Sequence, residues 1–60
     1  MITLTYCSDL KVYKVKAYFD GHPELTRERT HTEDQVKTSA FLSKFAEEAK
    51  ANENKEIKVT

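Results

Sequence analysis

Apolar and polar residues alternate from the start of the chain, with Ile2, Leu4 and Tyr6 set against Thr3 and Thr5. A period of two built from β-branched and aromatic residues predicts a half-buried strand. Cys7 to Lys11 break the alternation, and Ser8 and Asp9 are turn formers. A second strand is predicted from Val12 to Phe19. Tyr13, Val15, Ala17 and Phe19 share one of its faces, and Val12, Lys14, Lys16 and Tyr18 share the other. The first set carries no charge and is assigned to the core. The two strands should form an antiparallel hairpin.

Residues 20–24 hold the only glycine and the only proline. Gly21 can take a positive φ, and Pro23 biases His22 towards extended geometry, so a turn is predicted here. From Leu25 to Thr30 the pattern is weaker. Leu25, Arg27 and Arg29 share one face, and Thr26, Glu28 and Thr30 the other. Neither face is cleanly apolar, which fits an edge strand, where charge is tolerated. Alternation alone does not set which face points inward.

The start of a helix is well marked. Thr32 with Gln35 three residues later forms a capping box, and Glu33 and Asp34 place negative charge in the first turn, where the helix dipole favours it. Phe41, Leu42, Phe45, Ala46 and Ala49 fall on one side at 100° per residue. No Gly or Pro interrupts residues 33–51, so one continuous helix is predicted there, ended by Asn52 or Asn54. Glu56, Ile57, Lys58 and Val59 alternate again as a short closing strand.

The order β-β-β-α-β predicts a small α+β two-layer domain spanning residues 1–60. Its sheet is mostly antiparallel, with one helix packed on one face. The expected strand order is 4-1-2-3. A single helix carrying the chain back would leave the last strand parallel to the first. The expected core is Ile2, Leu4, Tyr6, Tyr13, Val15, Phe19, Leu25, Phe41, Leu42, Phe45, Ile57 and Val59.

Size and composition narrow the chemistry. Sixty residues bury roughly 60% of the unfolded surface, which leaves little room for an enclosed site. Ten basic and ten acidic residues cancel, which argues against a polybasic tail or a self-repelling disordered chain. Cys7, the one cysteine, can form no internal disulfide. No apolar run approaches a membrane span and no signal-peptide pattern opens the sequence, so a cytoplasmic location is expected.

Cys7, His22 and His31 are the candidates for a nucleophile and its base, and His22, His31 and Lys16 for acid–base cleavage of RNA. Simpler roles account for each of them. Cys7 reads as a small apolar side chain at a strand end, His22 as a turn residue, and His31 as a staple at the helix start. One Cys and two His at these spacings match no zinc pattern, and a lone Gly21 builds no phosphate cradle. No catalytic residue, metal site or cofactor is therefore assigned.

Binding is the better-supported class. Lys14, Lys16 and Tyr18 share the outer face of the second strand, with Lys11 nearby and Arg27 and Arg29 on the next strand. If the arginines also point outward, four cations and one stacking aromatic would line an open sheet face that could follow a nucleic-acid backbone. Zero net charge counts against that reading. An open sheet can instead add a strand from a partner, or pair with a second copy of itself, and Tyr and Arg are the residues that interface hot spots favour. A membrane-surface helix fits poorly, because acidic residues are mixed with its lysines.

The expected function is a small non-catalytic protein that binds, and modulates or inhibits, a larger protein. Phage-type inhibitors and antitoxin-like accessory proteins fall in this size class, an association rather than a deduction. Lys14, Lys16, Tyr18, Arg27 and Arg29 are the candidate partner-binding residues. Nucleic-acid binding through the sheet face is the alternative, and a homodimer is compatible with either.

Overall fold

The computed structural model describes residues 1–60. It is an α+β fold in two layers. One layer is a four-stranded antiparallel sheet of β1 (Ile2–Cys7), β2 (Val12–Ala17), β3 (Arg27–His31) and β4 (Ile57–Lys58). The other layer contains two short helices, α1 (Glu33–Thr38) and α2 (Ala46–Ala51). The strand order is β3-β2-β1-β4, as the sequence predicts. The molecule is a slab 16 Å thick in its shortest direction.

β1 and β2 form the predicted hairpin, with Leu4 opposite Val15 and Tyr6 opposite Tyr13. Lys11 closes its turn at φ 54°, in the left-handed region. The Tyr6 and Tyr13 rings stack at a tilt with centroids 4.9 Å apart. β2 leaves the sheet earlier than predicted. Tyr18 still exchanges backbone hydrogen bonds with Met1 at 2.8 and 3.0 Å, but the Phe19 carbonyl turns to accept from His22 N–H. Phe19 is therefore 47% exposed and not a core residue. Leu25 is likewise exposed. Pro23 opens a single 3₁₀ turn over Pro23–Leu25, and Leu25 N–H donates to the His22 carbonyl, so β3 starts only at Arg27.

The capping box forms as predicted. Gln35 N–H donates to Thr32 Oγ1 at 3.2 Å, and Thr32 N–H donates to Gln35 Oε1 at 3.0 Å. The expected continuous helix does not form. α1 stops at Thr38, Ser39 is extended (φ −81°, ψ 119°), and a 3₁₀ turn over Leu42–Lys44 leads into α2. Two hydroxyls serve the break. Thr38 Oγ1 donates to the Gln35 carbonyl at 3.0 Å, and Ser39 Oγ accepts from Leu42 N–H at 3.1 Å, capping the next turn.

Burial explains why the break occurs. On one straight helix Val36 would stand about 120° from Leu42 and about 140° from Ala49. No single face could then bury all three. With the break, Val36 and Ala49 become inaccessible and Leu42 is buried, while Phe41 is turned out to 42% exposure. Phe41 is thus corrected from core to surface, where its ring meets the half-buried Phe45 edge-on. Val36 joins Leu4, Tyr6, Tyr13, Leu42, Ala49 and Val59 in the core, and Ile2, Val15, Phe45, Ala46 and Ile57 pack around it.

The same break sets the direction of β4. A helix over residues 33–51 would carry the chain about 28 Å at 1.5 Å per residue and deliver it to the far end of the sheet. Broken at Ser39, the segment turns back. The start of α1 and the end of α2 come together where Glu33 pairs with Lys50, whose ammonium lies 5.6 Å from the Tyr6 ring centroid. Asn54, at φ 62°, then donates its N–H to the Tyr6 carbonyl, and the chain enters β4 from the end at which β1 finishes. Hence β4 is antiparallel to β1, with Thr3 opposite Lys58 and Leu4 opposite Ile57, and not parallel as expected.

Candidate interaction surfaces

Register decides which candidate residues share a face. Residues directly opposite each other in a ladder point to the same side, and neighbours along a strand alternate. Lys14 lies opposite Thr5 and Thr30, and Lys16 opposite Thr3 and Glu28. This row forms the outer face. Arg29 lies opposite Val15 and Arg27 opposite Ala17, in the row that carries Tyr13 and the core. The arginines therefore belong to the helix-bearing face, and the outer face does not collect the four cations that a nucleic-acid-tracking surface required. The residues that reach it from β3 are Glu28 and Thr30.

On the outer face Lys14 and Lys16 are paired, whereas Lys58, opposite Thr3 in β4, is exposed and has no carboxylate within 4.0 Å. Lys14 Nζ is 3.7 Å from Glu28 Oε1, and Lys16 Nζ lies 4.0 Å from Glu28 Oε2 and 3.7 Å from Glu56 Oε1. Tyr18 reaches across β1 and donates its hydroxyl to Glu56, with Oε1 at 2.9 Å and Oε2 at 2.8 Å. That hydrogen bond holds the Glu56 carboxyl below the ordinary range, and the same bond pushes the Tyr18 hydroxyl up. Thr3 is buried beneath this cluster. Its Oγ1 is buried without a hydrogen-bond partner. Lys14, Lys16 and Tyr18 are thus brought together, but their polar groups are already engaged within the chain.

Arg27 and Arg29 are in the opposite condition. Both are exposed, and neither guanidinium has a carboxylate within 4.0 Å. They lie on β3, which pairs with β2 on one side only. Phe19 and Leu25, 47% and 48% exposed, lie just beyond the last paired rung, Ala17–Arg27. The open edge and the free cations lie along β3, and the exposed apolar side chains lie in the connection that leads into it. Sequence reasoning singled out the arginines but left their face open. It placed Phe19 and Leu25 in the core.

The Cys and His candidates are not brought together. Cys7 alternates with the core residue Tyr6 and so lies on the outer face, whereas His31, opposite Tyr13, lies on the inner one. His22 sits in the β2–β3 connection, past the other end of the sheet, with Nδ1 3.2 Å from Glu24 Oε1. No pocket opens on the surface, and no group of three His, Cys, Asp or Glu side chains is placed to hold a metal ion. No helix is long and apolar enough to cross a membrane. Comparison with protein-family models, curated proteins and solved structures finds no significant match to this chain.

Proposed function

We propose that this chain is a non-catalytic interaction protein that binds a larger protein and modulates it, inhibition by occupying a surface being the simplest form. The observation that carries the reading is β3, a five-residue strand with one edge unpaired and two guanidiniums free of any internal partner. An unpaired strand edge offers a row of backbone donors and acceptors that another chain can complete. Arginine beside exposed apolar side chains is the composition that interfaces favour. The outer face supports the reading from the other side, because Lys14 and Lys16 are held by Glu28 and Glu56 and leave Lys58 as the one unpaired cation of its rows.

Affinity capture from a native extract, followed by calorimetric titration of the purified partner, tests this. The expected result is a defined stoichiometric complex with a protein. Salt-sensitive binding to a single- or double-stranded oligonucleotide, abolished by Lys14→Glu with Lys16→Glu, would establish the nucleic-acid alternative instead.

A further inference from the structure

We infer that the free edge of β3 accepts an extended segment of the partner as a fifth strand, and that this segment carries carboxylates at alternate positions facing Arg27 and Arg29. The inference rests on the binding-protein reading above and names the chemistry of the partner at that surface. Three observations select it. β3 is the longer edge of the sheet, five residues against two in β4, so it offers the longer ladder. Along its inner row stand Arg27 and Arg29, two residues apart and without carboxylate partners. Along its outer row Glu28 is already held by Lys14 and Lys16.

An added strand therefore meets an unsatisfied charge on one row only. Acidic side chains at i and i+2 sit about 6.6 Å apart in an extended chain, the repeat at which the arginines recur. Opposite-charge pairs across adjacent strands stabilise the ladder, and like-charge pairs directly opposite destabilise it.

That rule also disfavours a second copy of this chain. Two β3 edges pair antiparallel about a two-fold axis normal to the sheet, which sets same-face residues opposite one another. Centred on Glu28, the pairing sets Arg27 against Arg29 and Glu28 against its own copy. Centred on Arg29, it sets that residue against itself. Centred on Thr30, the pairing avoids both clashes but overlaps only residues 29–31 of the strand, whereas an acidic strand can pair along all of β3 without either clash.

Fluorescence anisotropy with labelled peptides tests the assignment. The probe is Thr-Val-Glu-Thr-Glu-Val-Thr, with both glutamates on one row. Its isomer Thr-Val-Glu-Glu-Thr-Val-Thr has equal charge but splits them between rows. The first peptide should bind roughly tenfold more tightly than the second. The Arg27→Glu, Arg29→Glu double variant should lose that binding and accept the probe with lysines in place of glutamates. Both positions are exposed, and an unchanged circular dichroism spectrum confirms that the variant folds. Equal binding of the two isomers, no binding of either, or binding that survives the double reversal would overturn the assignment. So would a wild-type dimer, seen by sedimentation velocity, that the double variant dissolves. A parallel capture from native extract separates this inference from the reading beneath it. A partner retained equally by wild type and double variant overturns the edge assignment while leaving a binding protein. No peptide bound and no partner retained overturns both.

Discussion

Val36 has no accessible surface, so truncating it leaves a void between α1 and the sheet that so small a core cannot readily close. Val36→Ala removes two buried methyl groups and should cost about 2 kcal/mol once the cavity is included. In a domain of this size that lowers Tm by roughly 10 °C, readable by thermal denaturation. Phe41 is the larger side chain but is 42% exposed, and Phe41→Ala should cost less than about 1 kcal/mol in the same measurement. The reverse ranking would mean that residues 33–51 form one helix with Phe41 inside. At this scale the sequence was informative where the signal is local. Thr32 and Gln35 cap each other three residues apart, and no distant residue is needed to see it. Val36 was missed because its burial depends on a change of helix direction that Thr38 and Ser39, polar but neither Gly nor Pro, announce only weakly.

The elements are held by two exposed polar ties as well as by the core. Glu33 with Lys50 joins the start of α1 to the end of α2, and Tyr18 with Glu56 ties β2 to the approach to β4. Lys50 holds the Glu33 carboxyl below its ordinary value, as Tyr18 does for Glu56. Each carboxyl thus binds its proton less readily in the folded chain than in the unfolded one. The stability they confer is complete above an unfolded pKa of about 4.3 and is lost as pH falls through the lower folded values. Tyr18 is raised, so its contribution is present below about pH 10 and is lost as pH rises through the folded value. Tyr18→Phe should therefore make the acid limb of Tm against pH shallower and remove the Tyr18 contribution to the alkaline loss. An unchanged profile would show that the tie does not form in solution. Ser39 caps the turn that follows the break between the helices, and Ser39→Ala should cost about 1 kcal/mol in denaturant unfolding, with residue 39 still non-helical by carbon chemical shifts because burial sets the break. Helical shifts running unbroken from 33 to 51 would contradict the fold described. The hairpin and the strand order were legible because alternation and short connections fix them. The direction of β4 was not, because it follows from the return of α2 beside α1 and hence from the same break.

For the whole molecule, zero net charge conceals an uneven distribution. On the outer sheet face Lys14 and Lys16 are held by Glu28 and Glu56, with Lys58 unpaired at the β4 edge, while two arginines stand free on the helix-bearing face at the β3 edge. Composition identified all the partner-binding candidates, Lys14, Lys16, Tyr18, Arg27 and Arg29, but could not divide them. Both rows of β3 are polar, so the chain carried no hydrophobic pattern to set its face, and only the pairing of Val15 with Arg29 does so. The division predicts that Lys14→Glu with Lys16→Glu leaves partner affinity within about twofold, whereas Arg27→Glu with Arg29→Glu weakens it roughly tenfold or more. The most direct test is amide hydrogen exchange along Arg27–His31, followed by NMR in the free protein and in its complex with the captured partner. The outward-pointing amides of β3 should exchange freely in the isolated chain and become protected in the complex. Exchange along β3 that is the same in both states, with the new protection confined to the neighbourhood of Lys14, Lys16 and Tyr18, would contradict it.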